Sequence, residues 1–425
     1  MTSSPATKPL TLDEIRLDNG YMFEAGRANE AFKLIRVLPG LHWTPPTDAG
    51  KGFWSLTRYA DVLACSRHPE IFSSERGIAS FEPHDPAEVT GPGTGNGKML
   101  ITMDPPRHVK LRRLINKGFT PRAVAAWEPE IRTITIGLLE EFKANGGGDF
   151  VLDVASKIPL AVICSMLGLK PEDRPLMFKL TNKVLGAGDP EYQEDVPEEQ
   201  RGTSEAARTT GQMGTMQMFG FFAQVLQERK ANRRDDLISI LVDSEIEGDK
   251  LSDEDILWFS FLLILAGNET TRNAMSGGLI TLLEHPDALA KLREDRSLVP
   301  SAVEEILRWV SPVTHMARVA LEDTEINGQP IKKGERVIMW YPAVNRDPAV
   351  FENAEVFDIE RSPNDHLAFG IGEHFCLGAG FARLEMRILF EEILARFKSV
   401  EPSGPAERLR SNFLAGVKHL PVTVS

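Results

Sequence analysis

The 425-residue chain has only three cysteines, too few for a disulfide framework, which points to a reducing compartment such as the cytoplasm. It has no basic excess. The formal charge is -13, whereas a phosphate-binding surface needs surplus lysine and arginine, so the balance argues against nucleic acid. The N-terminus "MTSSPATKPLTLDEIRLDNG" holds no apolar signal core. The longest mostly apolar run, "ILWFSFLLILAG" from Ile256, falls well short of the roughly 20 residues that cross a membrane. No Cys or His pair has zinc-site spacing, and no Gly/Ser linker, low-complexity tract or repeat divides the chain. These absences leave a soluble, cytoplasmic protein of ordinary globular composition, 42% hydrophobic and 26% charged, and a monomer is the expectation. Its expected layout is an irregular, Pro-rich segment over 1–50, then a single domain over 51–425.

What is present is mostly helical. "GFWSLTRY" reads as a short strand and "YADVLACSRHPEIF" as a helix stopping near Pro69. From Gly77 to Lys98 the chain is too rich in Pro and Gly for regular structure, and a loop that long is read as a lid. Apolar residues then recur at three and four spacing through "HVKLRRLINKGF", "AVAAWEPEIRTITIGLLEEF", "PLAVICSMLGL" and "GTMQMFGFFAQVLQERK". The polar "TNKVLGAGDPEYQEDVPEEQRGTSEAART" between the last two has the character of a mobile access lid. Ser252 with Asp255 caps a helix that runs to Pro286, and "VPSAVEEILRWV" forms another. Short strands follow in "TEINGQPIKKGERVIMWYP", with turns at Asn327-Gly328 and Lys333-Gly334. The fold class is mainly α with a small β region.

One cysteine stands apart. Cys376 lies in "HLAFGIGEHFCLGAGFARLEM", between Gly370, Gly372, Gly378 and Gly380 and just before an amphipathic helix. Backbone N–H groups at a helix start favour a thiolate, and glycines let the chain fold tightly about the sulfur. Phe369 and Phe375 can shield it, and His374 offers a donor to a nearby anion. Taken alone the stretch also allows an inert buried cysteine, or a nucleophile whose base and orienting group have no evident place. Cys65 and Cys164 lie in apolar helical stretches and read as inert core.

"FGIGEHFCLG" resembles the haem-binding loop of the cytochrome P450 family, F-G-x-G-x-H/R-x-C-x-G, with no departure from it. The resemblance runs from about residue 50 to the C-terminus and implies that fold, with Cys376 as the thiolate ligand of haem b iron. Phe369, Gly370 and Gly378 then pack about the cofactor. "AGNETT" matches the family's acid–alcohol pair. It implies Ala266 and Gly267 against the haem, Thr270 serving oxygen activation, and Glu269 linking it to solvent. Out of context the same residues are a helix kink, with a Thr hydroxyl bonding the carbonyl four residues back. "EEILR" supplies Glu305 and Arg308, one turn apart, and "FDIERSPNDH" supplies Arg361. In the family these three form a structural network under the haem. His108 and Arg112 of "MDPPRHVKLRRL", Arg318 of "HMARVALED" and His374 match its propionate donors. Lys110, Arg112, Arg113 and Lys117 form a basic patch on the Cys side, suited to an acidic ferredoxin.

The resemblance implies a monooxygenase using O2 and electrons from NAD(P)H, delivered through a ferredoxin reductase and a ferredoxin. Peroxide-driven relatives replace the acid–alcohol pair with arginine and proline, so Glu269-Thr270 favours O2. "GFWSLTRYADVLACSRHPEIFSS", "LAGNETTRNAM" and "ERLRSNFLAGVKHLPV" are similar to actinobacterial enzymes oxidising terminal methyls of sterol side chains and branched lipids. "PLMFKLTN", "YPAVNRD" and "LEMRILFEEIL" are similar to monoterpenoid hydroxylases of the α-terpineol type. Both imply a small hydrophobic, isoprenoid-like substrate: a terpenoid, a steroid side chain or an alkyl-aromatic, attacked at a methyl group. The alternatives are a fatty-acid or polycyclic-aromatic hydroxylase, or a haem-thiolate protein without turnover. Expected pocket residues are Leu262, Leu263 and Ala266 on the long helix, then Val313, Thr314 and Met316. Ile78, Phe81, Met99 and Leu100 are expected from the loop at 77–100.

Overall fold

The computed structural model describes residues 8–47, 50–80, 95–246 and 248–425. Its principal helices in the first half are α1 (Ala28–Arg36), α2 (Tyr59–Arg67), α3 (Arg107–Ile115), α4 (Glu128–Ala144) and α5 (Lys157–Met166). The second half adds α6 (Arg174–Leu185), α7 (Ser204–Ala231), α8 (Asp253–Glu284), α9 (Val299–Val310) and α10 (Ala379–Arg396). Strands β1 (His42–Thr44), β2 (Phe53–Leu56), β3 (Phe72–Ser73), β4 (His315–Ala320) and β5 (Arg336–Trp340) form one sheet in the order β1-β2-β5-β4-β3. Only the β2–β5 pairing in it is parallel.

The architecture turns on α8. Ser252 Oγ accepts from the Asp255 N–H at 3.1 Å while the Asp255 carboxylate accepts from the Ser252 N–H at 3.4 Å, so two orphan donors are satisfied at once. Asp253, Glu254 and Asp255 place negative charge at the positive end of the helix dipole. The helix stops at His285, and Pro286 opens the next one. Along its length α8 changes partners. Its first half, through Ile256, Phe259, Leu263 and Ile264, packs with α5, α6 and α7. Its second half, through Ala274, Met275, Leu279 and Leu282, packs with α9 and α10. Gly278 permits that second packing: a Cβ there would lie 2.8 Å from Ile306 and 2.9 Å from Phe390. The polar "GNETT" falls at the changeover, where neither apolar cluster claims the helix.

The N-terminal segment departs from expectation. Its prolines predict an irregular segment, yet α1 buries Ala31, Phe32 and Ile35 against the sheet, with Phe32 5.3 Å from Trp340 ring to ring. The helical spacing was present in "ANEAFKLIR" but masked by the prolines on either side. The helix expected across "AVAAWEPEIRTITIGLLEEF" is two, Pro121–Ala126 and α4, parted at Trp127 because Pro129 has no N–H to continue the first. The segment expected to be a mobile lid is tied down. Gln193 is buried, donating to the Ala187 carbonyl at 2.7 Å and accepting from the Gly202 N–H at 2.7 Å. Buried Asp189 accepts from the Arg410 N–H at 3.0 Å and from Lys418 at 3.2 Å. The Asn327-Gly328 turn is as expected, with φ of 50° and 75°. Within the loop at 77–100, residues 81–94 lie outside the described residues.

Candidate active site

The loop before α10 is shaped by its glycines. Gly370 and Gly372 adopt φ of 68° and 76°, and a Cβ on Gly372 would lie 2.7 Å from the Ser66 carbonyl of α2. The Cys376 N–H donates to the Phe369 carbonyl at 2.9 Å, which turns the thiol toward a cavity floor. Backbone N–H groups of Gly378 and Ala379, at the start of α10, reach the sulfur. Burial raises the thiol pKa, and those N–H groups with Arg112 and Arg383 act against it. An added metal cation would reverse the balance, because a coordinating thiol loses its proton. Cys65 and Cys164, by contrast, are pushed up to about 12 by burial and line no such floor. Phe369 and Phe375 both line the cavity, and Phe375 is also partly open to solvent.

Above the loop, α3 brings His108 and Arg112, β4 brings Arg318, and the loop itself brings His374, all onto one wall. The two imidazoles are 4.3 Å apart. Burial, then Arg112, pushes the His108 pKa down to about 4, and burial, then Arg318, pushes His374 down to about 2. Neither ring nitrogen of His108 has a hydrogen-bond partner, though both are shut off from solvent. Arg112 donates to the Phe375 carbonyl and Arg318 to the Ala317 carbonyl, at 2.7 Å for the latter. Among the described residues no carboxylate forms a salt bridge with either arginine. Two arginines with no carboxylate partner and a buried imidazole with no partner at all, beside His374, fit a ligand carrying two carboxylates, and the thiol on the floor fits its metal. The residues present therefore fit haem.

On α8, the Thr270 hydroxyl donates to the Ala266 carbonyl at 2.8 Å and, with Ala266 and Gly267, faces the cavity. Glu269 does not. It is buried, ion-pairs with Arg272 and accepts from Thr181 of α6 at 3.4 Å. Arg272 also donates to Asn182 at 2.9 Å, and Asn268 donates to Thr181 at 3.1 Å. Burial raises the Glu269 pKa, opposed by Arg272 and Thr181. The expected link from Glu269 to solvent is thus sealed in this conformation. A carboxylate one residue from the alcohol points to the neighbouring helix, because side chains one position apart on a helix do not share a face. Arg272, three residues on, was visible in the sequence; Thr181 and Asn182, almost ninety residues away, were not.

Glu305, Arg308 and Arg361 meet as expected. Arg308 donates twice to Glu305 at 2.7 Å and to the carbonyls of Asn345, Ala354 and Val356 at 2.7–3.0 Å. Arg361 Nε reaches Glu305 at 3.2 Å, and Asn364 adds a bond at 3.1 Å. Glu305 and Arg308 are wholly buried, so the network braces the chain leading into the Cys loop.

The cavity has a volume of about 410 Å³. Ile78, Met99 and Leu100 form one wall, Leu262 and Leu263 with Ala266 another, and Val313 and Met316 a third. Thr314 is a correction: it does not line the cavity. It is buried beneath, held there by its hydroxyl donating to the Asn412 carbonyl and its N–H donating to the Phe413 carbonyl at 2.9 Å. Phe81 lies outside the described residues. Sequence reading missed Phe413, Leu414 and Glu385. The first two come from a C-terminal loop with no local signal, and Glu385 sits in a helix whose other acids are ordinary.

The sequence profile described as Cytochrome P450 matches residues 53–421. A methyl-branched lipid omega-hydroxylase of Mycobacterium tuberculosis is 39% identical over 403 residues, covering 92% of this chain and 90% of that one. A steroid C26-monooxygenase of Mycolicibacterium smegmatis is 36% identical over 392 residues, covering 91% and 88%. A cytochrome P450 of Mycobacterium marinum, solved in complex with pseudoionone, superposes with a TM-score of 0.86 at 33% identity, covering 99% and 100%.

Proposed function

The chain belongs to the cytochrome P450 family of haem b-dependent, O2-using monooxygenases, and on that footing we propose that it hydroxylates a methyl C–H bond of a neutral, isoprenoid-like substrate: a terpenoid, a steroid side chain or an alkyl-aromatic. The observation that carries this reading is the character of the walls. Among the described residues, every charged side chain or histidine lining the cavity belongs either to the set His108, Arg112, Arg318 and His374 or to Glu385. A free fatty acid would leave its carboxylate without a cation of its own, at the cost of burying an unpaired charge. A methyl-bearing hydrocarbon needs only the apolar surface of Ile78, Leu262, Leu263, Val313 and Met316. Relatives named for hydroxylating methyl-branched lipids and for oxidising steroids at C26 support a methyl-bearing substrate.

In this reading Cys376 ligates the iron, the two His–Arg pairs hold the propionates, and Gly267, Phe369, Gly370 and Gly378 pack about the macrocycle. Haem with a thiolate ligand supplies the activation of O2 and the insertion of one oxygen atom into the C–H bond. Thr270 holds a hydroxyl proton at the cavity wall, ready to be turned from the Ala266 carbonyl toward whatever oxygen lies in front of it. Glu269 resupplies that proton only after its carboxylate leaves Arg272 and Thr181, so the relay is closed at rest. Apolar walls keep water from the substrate. Lys110, Arg113 and Lys117 are exposed, as are Val109 nearby in the chain and Phe375 of the Cys376 loop, and together they offer a landing surface for an acidic ferredoxin in the cytoplasm.

Two spectra test the reading. Reduced protein under carbon monoxide should give the strongly red-shifted Soret band of thiolate ligation; the unshifted band of a histidine-ligated haem in native protein would sink it. Titration with terpenes, steroids, alkylbenzenes and fatty acids should shift the iron from low to high spin with the first three. A shift with fatty acids alone would overturn the substrate class.

A further inference from the structure

Beneath three walls of the cavity lies a buried polar knot that touches none of its contents. His315 of β4 is its centre. Its Nε2 accepts from the Ser80 N–H at 3.0 Å, and its Nδ1 faces the Asn412 carbonyl at 2.8 Å. A backbone N–H can only donate and a carbonyl can only accept, so the ring is neutral with its proton on Nδ1. The Asn412 side-chain amide donates to Ser80 Oγ at 2.9 Å and to the Leu17 carbonyl at 3.0 Å. Thr314 donates to the Asn412 carbonyl, and the Thr314 N–H to the Phe413 carbonyl at 2.9 Å. From β5 the buried guanidinium of Arg336 reaches the carbonyls of Ala79 at 2.8 Å and Ser80 at 3.1 Å. The Ala317 N–H adds a bond to the Ile78 carbonyl at 2.6 Å.

Most of these bonds end on the main chain of 78–80 or 412–413, and the side chains hung on that main chain are cavity wall: Ile78 and Ala79 on one stretch, Phe413 and Leu414 on the other. Val313, bridged to Leu414, and Met316 of β4 flank the knot on either side and form the wall between them. An apolar core residue in place of His315 could fill its space but could not fix the height of two loops at once. We propose that His315, together with Asn412 and Arg336, is a specificity-determining clamp that sets the dimensions of the substrate cavity by positioning its walls. The inference rests on the cavity being the substrate site. It adds positioning residues that make no contact with substrate or cofactor.

The test is His315→Phe, which keeps the ring packed against Trp340 (4.8 Å) and Phe413 (5.3 Å) but removes both hydrogen bonds. In the haem-loaded protein, Soret titrations with imidazole and with 4-phenylimidazole separate iron access from wall contact. We expect 4-phenylimidazole to bind about tenfold more weakly, as loss of a buried hydrogen bond implies, with imidazole changed less than about twofold. Amide hydrogen exchange at Ile78, Ala79 and Ser80 should quicken at least about tenfold, and His315→Gln, which can still accept from the Ser80 N–H, should recover part of both effects. Equal change for the two ligands, or none, with exchange unaltered, overturns the clamp. Should His315→Phe fail to accumulate, Ser80→Ala carries the same comparison with a smaller selective loss. Wild-type protein showing no Soret response to imidazole would defeat the haem reading instead, while the exchange comparison would still decide the clamp.

Discussion

Glu385 is buried on α10 with one carboxylate oxygen lacking any hydrogen-bond partner, and it gives the protein a measurable pH signature. Burial pushes its pKa from the ordinary 4.5 up to about 8. Below 4.5 the acid is protonated in both the folded and unfolded chain and costs nothing in ionisation. Between 4.5 and about 8 the unfolded chain is ionised while the folded chain keeps the proton, so the folded state binds one proton more. Stability therefore falls as pH rises through that window, by about 1.4 kcal/mol per pH unit. The loss reaches about 3 kcal/mol at pH 7 and levels off near about 5 kcal/mol above the folded pKa. Against a typical total of about 5–15 kcal/mol this is large. Glu385→Gln keeps the shape and removes the proton. Urea unfolding of both proteins at several pH values between about 5 and 8 should give stabilities that diverge steadily, the variant gaining on wild type as pH rises. The slope of the difference is the readout, since any fixed cost of burying the amide cancels from it. Two parallel curves would refute the reasoning, and would mean that the carboxyl finds a donor or water in solution.

Thr270→Ala should leave haem uptake and the carbonyl spectrum intact while NADH consumption runs to peroxide; product yield that stayed coupled would remove Thr270 from the proton path. Glu305→Leu and Arg308→Leu should each cost about 3–5 kcal/mol in thermal or urea unfolding, because each strands a buried charge. The double variant should fall short of the summed losses by about 2 kcal/mol, and strict additivity would mean the two do not act as a pair. Arg113→Glu should slow electron delivery from an acidic ferredoxin by about tenfold at low salt, a difference that fades as salt screens the surface. Stopped-flow reduction that shows no such loss would place the docking surface elsewhere.

What the sequence disclosed and what it withheld divide along sequence distance. The Cys376 loop, the Ser252–Asp255 cap and the Glu305–Arg308 turn are local, and each was legible because its chemistry is complete within a few residues. Val313 and Met316 were legible from their place just after the helix ending at Val310, whereas Thr314 between them was misplaced, since its direction is set by Asn412 and Phe413 of a distant loop. Glu269 showed its chemistry but hid its direction, which depends on Thr181 and Asn182 of another helix. Helix α1 had a readable apolar spacing that its prolines obscured. His315 and Asn412 carried no signal at all, because a buried polar residue in a short strand or a loop looks like any other until its partners are known.

The knot about His315 also bears on how the chain reaches its native form. It joins Leu17, Ser80, His315 and Asn412, and the separations along the chain are 395 residues for Leu17 with Asn412 and 332 for Ser80 with Asn412. Contacts that distant close the longest loops and come late in folding, after the local helices have formed. The helices around α8 can therefore assemble while the cavity still lacks its final shape. The dimensions of the cavity are then complete only once the C-terminal loop reaches back to the first turns of the chain.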